Sequence, residues 1–169
     1  KLADNQLLSD LIQALGCGTG TRYREEDLRY EKVVIMTDAD VDGAHIASLL
    51  ITFFHTQMPA LIRAGRLYLA LPPLYRVTAG KESIYARDDA HKEALIKGEF
   101  KGRKVDISRF KGLGEMMPGD LKETTMDPAT RTLARVVLDE QGLPAFESLV
   151  ETLMGKKAEL RFNYIQANA

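Results

Sequence analysis

Along the first stretch, Leu7, Leu8, Leu11, Ile12 and Leu15 recur with the spacing of one helical face, which predicts a helix over residues 5–15. The run Gly16-Cys17-Gly18-Thr19-Gly20 reads as its stop; no G-K-S/T follows, as a phosphate loop requires. The pattern then tightens to a continuous apolar run, Val33-Val34-Ile35-Met36, within residues 32–37. Such a run suits a strand covered on both faces, as in a parallel sheet. Ile46, Leu49, Leu50, Phe53, Phe54 and Met58 return to helical spacing over residues 44–58, and Leu67, Leu69 and Leu71 alternate around Tyr68 and Ala70 over 66–71. Strand, helix and strand in that order predict a parallel βαβ crossover.

Pro72-Pro73 stops the second strand, and Leu74-Tyr75-Arg76-Val77 opens a hairpin that turns at Ala79-Gly80 and returns over residues 83–86. Asp88 or Asp89 caps a short helix to Lys97, and residues 105–110 form another short strand. Pro118 suits the first residue of a helix through about Thr125, residues 132–138 are strand-like, and helices over 144–154 and 156–165 part near Gly155. The expected fold class is α/β: a parallel sheet flanked by helices over residues 1–110, then a mostly helical tail over 111–169.

Composition narrows the field. A chain of 169 residues with 45% apolar and 28% charged positions is an ordinary globular domain, not a disordered, collagen-like or disulfide-scaffold chain. The 23 basic and 24 acidic residues leave a net charge of −1, so a polyanion would have to be met through a local patch. The single Cys17 excludes an internal disulfide and a cysteine-based metal cluster, and suits a reduced, cytoplasmic interior. The most apolar stretch, residues 46–62, contains His55, Gln57 and Pro59 and is too short and polar to cross a bilayer, and no signal peptide precedes it. A first residue of lysine leads us to expect a piece of something longer.

The chemistry concentrates in Thr37-Asp38-Ala39-Asp40-Val41-Asp42-Gly43, where three carboxylates alternate after a buried strand. Ligands of parallel α/β sheets bind at that edge. Clustered carboxylates repel unless a cation neutralises them, and hard oxygen donors favour Mg²⁺, Mn²⁺ or Ca²⁺. Gly43 permits a tight passage into the following helix. An EF-hand fits poorly: its last loop position would be Leu49 rather than Glu, and a strand precedes the loop. A D-x-D phosphatase with Asp38 as nucleophile and Asp40 as acid/base needs Thr or Val where Asp42 stands. Two readings stay open: a Mg²⁺ site for phosphoryl transfer on nucleic acid, and an acidic cap on a helix N-terminus.

The segment Thr37-Asp-Ala-Asp-Val-Asp-Gly-Ala-His-Ile46 resembles the D-x-D motif of the TOPRIM domain in bacterial type IIA topoisomerases. The resemblance continues through Leu49-Leu50, Phe53-Phe54 and Leu71-Pro-Pro-Leu-Tyr-Arg76, then Phe110-Lys-Gly-Leu-Gly-Glu-Met116, Glu123-Thr-Thr-Met-Asp-Pro128 and Arg131. The order and spacing of these pieces resemble the C-terminal part of the B subunit, most like the topoisomerase IV branch and next the gyrase branch; Leu69 to Arg76, Gly80-Lys81-Glu82 and the short span from Tyr75 to Lys111 favour the first.

The resemblance implies an ATP-dependent enzyme in which a tyrosine of the A subunit attacks double-stranded DNA and keeps the 5′ end. It implies Asp38 and Asp40 as the main Mg²⁺ ligands, with Mn²⁺ or Ca²⁺ as substitutes, and Asp42 as a third acidic member. It also implies ATP use by an N-terminal domain outside this sequence, a heterotetrameric parent and a role in chromosome segregation. The family's catalytic Glu lies upstream of the D-x-D motif in an E-G-D-S-A-like segment, and nothing like it precedes Asp38; Glu25-Glu26-Asp27 reads as a solvated turn. This sequence alone is therefore expected to hold a half-built metal site and not to cleave DNA. Glu115 belongs to the Lys-Gly-Leu-Gly-Glu-Met motif and takes no such role.

Other residues carry two readings each. His45 approaches DNA phosphate or orients an Asp, or is a plain surface histidine. Lys111, with a catalytic and DNA-binding role implied by its motif, offers a cation beside Gly112-Leu113-Gly114, whose amides could meet phosphate; the same glycines suit a strand-to-helix turn. Arg131 and Arg135 join a DNA-facing patch or pair with acids of the tail, and Lys101, Arg103 and Lys104 read as a solvated face. Phe53-Phe54 and Met116-Met117 read as core, and the six tyrosines are not nucleophiles in this family. A charge near zero suits one wall of a DNA site whose basic surface comes mostly from the partner subunit. From a different class, the chain is a docking module for the A subunit and DNA without chemistry of its own.

Overall fold

Asn5 starts the first helix, its side chain accepting the Leu8 amide, and Gly16 ends it at φ 80°, donating to the Ile12 carbonyl. This computed structural model describes residues 5–139 and 143–168. The chain forms two compact units, one ending at Val136 and one starting at Val137.

In the first unit, helix α1 (Gln6–Leu15) leads to β1 (Val33–Ile35), α2 (Val41–Gln57), α3 (Pro59–Arg63) and β2 (Leu67–Ala70). β1 and β2 run parallel, with Val33 opposite Leu67 and Ile35 opposite Leu69, as the predicted crossover requires. Met58, at φ −142°, separates α2 from α3 because a residue before proline is pushed out of the helical region. Phe54, Met58, Leu61, Ile62 and Leu67 are all but fully buried.

The hairpin is β3 (Tyr75–Ala79) and β4 (Glu82–Ala86), turning through Gly80 at φ 67°. Asp88 caps α4 (Asp89–Lys97) by accepting the His91 amide. β5 (Asp106–Arg109) pairs with the far side of β3, giving an antiparallel sheet ordered β4-β3-β5. Every second residue of β3 points inward, so Tyr75, Val77 and Ala79 join Ala86, Leu95 and Phe100 in a second core cluster.

Beyond β5, Pro118 opens α5 (Pro118–Leu121), which widens into a π turn over Lys122–Met126. β6 (Leu133–Arg135) then adds to β2 in antiparallel register, Ala134 opposite Leu69. The first sheet is thus mixed, ordered β1-β2-β6. The α/β class stands, and residues past 110 supply a strand to the first sheet.

Three details differ from the sequence pattern. α2 starts at Val41 rather than Ala44, because Asp40 caps it. Ile46 and Leu49 are about half exposed, so only the later part of the expected apolar face is covered. Met116 is buried while Met117 is 64% exposed, since an extended Met117 points outward just before α5.

In the second unit, α6 (Leu143–Met154) and α7 (Ala158–Asn168) meet at Gly155. A Cβ on Gly155 would lie 2.2 Å from the Glu151 carbonyl oxygen, so only glycine closes that turn, and Arg161 Nη1 donates to the Leu153 carbonyl at 3.1 Å. Among the described residues, no helix is long and apolar enough to cross a membrane.

Candidate metal centre

The C-terminal end of β1 runs directly into the acidic turn. Asp38 Oδ1 accepts the backbone N–H of Leu113 at 2.7 Å. Gly112 lies against the same carboxylate: a Cβ there would come within 2.9–3.0 Å of the carboxyl atoms. The Lys111–Glu115 segment therefore closes over Asp38 like a clasp. Its near end is fixed where the Phe110 amide donates to the Leu74 carbonyl at 2.9 Å. Its tight curl is held by Glu115 Oε2, which accepts the Lys111 amide at 3.0 Å. The Glu115 carboxylate is thus engaged within its own loop.

Gly43 is needed on the other side. A Cβ at this position would meet the Asp38 carbonyl oxygen at 2.0 Å. Close approach of α2 to the Asp38 backbone, not an unusual φ, requires glycine. Asp40 Oδ1 accepts the Gly43 amide at 2.7 Å and caps α2. One carboxylate oxygen does the work of the acidic cap and the second is left for another partner. Asp42 lies inside the first turn of α2, where the helix dipole favours its ionised form.

The remaining sequence-predicted residues spread around this centre. His45 is exposed on α2, Lys111 is exposed at the start of the clasp, and Arg131 is half-buried with its amide donating to the Asp127 carbonyl at 2.9 Å. The fold brings the Lys111 loop to Asp38, 73 positions apart by their residue numbers. Among the described residues, no three His, Cys, Asp or Glu side chains lie together as a ready-made metal cage. Mg²⁺ commonly binds one or two carboxylates and completes its shell with waters and substrate phosphates. Asp38 and Asp40, with hard oxygen donors adjacent on one exposed turn, fit that demand.

A cleft of about 550 Å³ opens beside Asp38, with Ile35, Thr37 and Ala47 on one side and Arg87 and Asp88 on the other. Arg87 carried no sequence signal, being merely the residue before a helix cap. A second feature also escaped the sequence: the Arg76 and Tyr85 side chains both reach Asp120 in α5. Burial, then the hydrogen bond to the Asp120 carboxylate, push the Tyr85 phenol well above its usual range. No periodicity or motif links positions on a hairpin to a carboxylate 35 residues on.

Comparison with known proteins gives two family matches: the Toprim domain over residues 5–72, and the family described as DNA gyrase B subunit, carboxyl terminus, over residues 102–166. Over its whole length the chain is 66% identical to the DNA topoisomerase 4 B subunit of Caulobacter vibrioides, covering 24% of that protein. It is 59% identical to the protein of the same name in Bartonella bacilliformis, covering 25% of it. It is 47% identical to the DNA gyrase B subunit of Metamycoplasma hominis, over 98% of this chain and 25% of that protein. The chain spans about a quarter of the length of the curated relatives it matches. The resemblance read from the motifs is borne out across both matched regions, and the Toprim match supports a divalent cation in this domain.

Proposed function

We propose that this chain, the Toprim and following region of a type IIA topoisomerase B subunit, is the metal-binding half of a DNA cleavage–religation centre. The observation that carries this reading is the Asp38 carboxylate, set at the end of a parallel strand and clasped by the Leu113 amide. Asp38 and Asp40 hold Mg²⁺, and Asp42 is a third acidic member, in contact directly or through water. When bound there, Mg²⁺ supplies charge stabilisation at the phosphoryl group and the leaving 3′ oxygen.

The chain's own residues do the rest. Asp38 is held in place before DNA arrives, so its charge needs no reorganisation on binding. Lys111, exposed at the edge of the clasp, lends a positive charge to a DNA phosphate, and His45 and Arg131 add contacts that hold the backbone. The nucleophilic tyrosine comes from the A subunit, and the general acid/base Glu from a segment upstream of Asp38. The phosphotyrosine link conserves the phosphodiester energy, so cleavage reverses to religation.

The parent enzyme is topoisomerase IV, a cytoplasmic bacterial heterotetramer of two A and two B subunits that spends ATP in another domain to pass one duplex through another. The naming of the relatives of highest identity supports topoisomerase IV over gyrase. The full-length B subunit, joined with its A subunit, Mg²⁺ and ATP, tests the reading on linked and relaxed DNA circles. Unlinking without supercoiling is expected; supercoiling would mean gyrase. Asp40→Asn keeps an oxygen for the Gly43 amide but removes the charge, and should abolish unlinking while assembly persists. Full activity in this variant would remove Asp40 from the metal site and favour a docking role.

A further inference from the structure

The clasp over Asp38 is a loop with two ends, and both are tied to the same hairpin. At the near end β5 pairs with β3, Arg109 opposite Tyr75. At the far end stands Asp120, in the short helix α5 that follows the loop. Its side chain is only 9% exposed, and both oxygens are engaged. Arg76 Nη1 donates to Oδ1 at 3.0 Å and to Oδ2 at 2.8 Å, and the Tyr85 hydroxyl donates to Oδ1 at 2.7 Å. Arg76 and Tyr85 are direct cross-strand neighbours on β3 and β4. The Tyr85 hydroxyl also lies 3.2 Å from Glu123 Oε2.

A buried carboxylate is costly unless paired and hydrogen-bonded, and hydrogen bonds to charged groups are the stronger kind. Here the pairing joins two segments that share no backbone ladder: the hairpin and the exit of the loop. Without it, the loop would be held at β5 alone and its exposed middle would be free to open. That middle is where Leu113 meets Asp38.

We propose that Asp120 is a positioning residue: with Arg76 and Tyr85 it pins the exit of the 111–117 loop to the hairpin and so keeps the Leu113 amide on Asp38. The pinning is a statement about this chain alone; its consequence for cleavage rests on Asp38 belonging to the metal site.

The test compares the wild-type full-length B subunit with Asp120→Ala, Asp120→Asn and Tyr85→Phe by amide hydrogen exchange, without DNA or metal. Asp120→Ala should speed exchange of the 111–117 segment by about tenfold, while the 75–86 hairpin stays near its wild-type rate. Asp120→Asn, which keeps acceptor and donor at the same place, should recover part of that protection, and Tyr85→Phe should act in the same direction as Asp120→Ala, more weakly. Unchanged loop exchange in Asp120→Ala, or an equal rise in loop and hairpin, overturns the proposal.

A second measurement is the Mg²⁺ concentration for half-maximal DNA cleavage with the A subunit, expected to rise several-fold in Asp120→Ala as the Asp38 carboxylate loosens. If Asp38→Asn shifts that value and Asp120→Ala does not, the link from Asp120 to Asp38 is overturned. If neither shifts it, the metal-site reading has failed, and the exchange rates decide the pinning by themselves.

Discussion

The Leu113 amide and the Asp38 carboxylate, 75 residues apart in the chain, are joined by a 2.7 Å hydrogen bond. That bond ties the two most distinctive motifs of the sequence into one structure. It also gives the motif glycines different jobs: Gly112 makes room for a carboxylate, and Gly43 makes room for a carbonyl.

Asp38→Asn should separate charge from architecture. The Asn oxygen still accepts the Leu113 amide, so unfolding free energy should stay within about 1 kcal/mol of wild type. DNA cleavage by the reconstituted enzyme, read on gels, should fall by about 10²–10³-fold. Retained cleavage would place the essential charge elsewhere.

Gly112→Ala should harm the site more than the fold. Gly112 is extended at φ −159°, which any residue adopts, and the new Cβ meets only the end of the Asp38 side chain. That carboxylate can swing away at a cost of about 1 kcal/mol, losing its place under the loop. Cleavage should drop well beyond what the small change in melting accounts for.

Gly43→Ala should do the reverse. The obstacle is the Asp38 backbone oxygen at 2.0 Å, which cannot swing aside. Alanine gains about 1 kcal/mol of helix propensity over glycine, yet displacing α2 costs more. A net loss of about 1–3 kcal/mol is expected in urea denaturation; equal or greater stability would contradict the close approach.

Tyr23 supplies a pH test away from the site. Its hydroxyl is buried without a hydrogen-bond partner, and burial raises the phenol from 10.0 to about 12. The raised value favours the neutral form in the folded chain. This contribution is complete below pH 10 and is lost as pH climbs through about 12. Tyr23→Phe should therefore remove part of the alkaline decline in stability. At neutral pH it should be neutral or stabilising by up to about 1 kcal/mol, because no hydrogen bond is broken. Denaturation of both proteins from about pH 9 upward, where the ordinary phenol begins to titrate, checks the sign.

Much of the architecture is legible in the sequence because it rests on local rules. The Gly16 stop, the Asp88 cap, the β3–β4 hairpin and the parallel pairing of β1 with β2 all follow from periodicity, capping and turn chemistry. The pattern places the start of α2 three residues late, because an Asp at either of two positions can cap and only the geometry chose Asp40. It also overstates burial at Ile46 and Leu49, since spacing names a face without saying how far it is covered. The Met116-Met117 pair splits for a similar reason: neighbours on an extended segment point to opposite sides.

By itself the sequence determined which residues carry the chemistry and which local element each one sits on. The acidic turn, the glycine-rich loop and their order along the chain are covalent facts, and strand and helix follow from patterns a few residues long. Tertiary structure decided which of these residues meet. The contact of Leu113 with Asp38 and the burial of Asp120 between Arg76 and Tyr85 depend on how sheets and loops pack, and partners 35 to 75 residues apart leave no periodic trace. A hydrogen bond needs atoms within about 3 Å, and only the folded chain sets that distance.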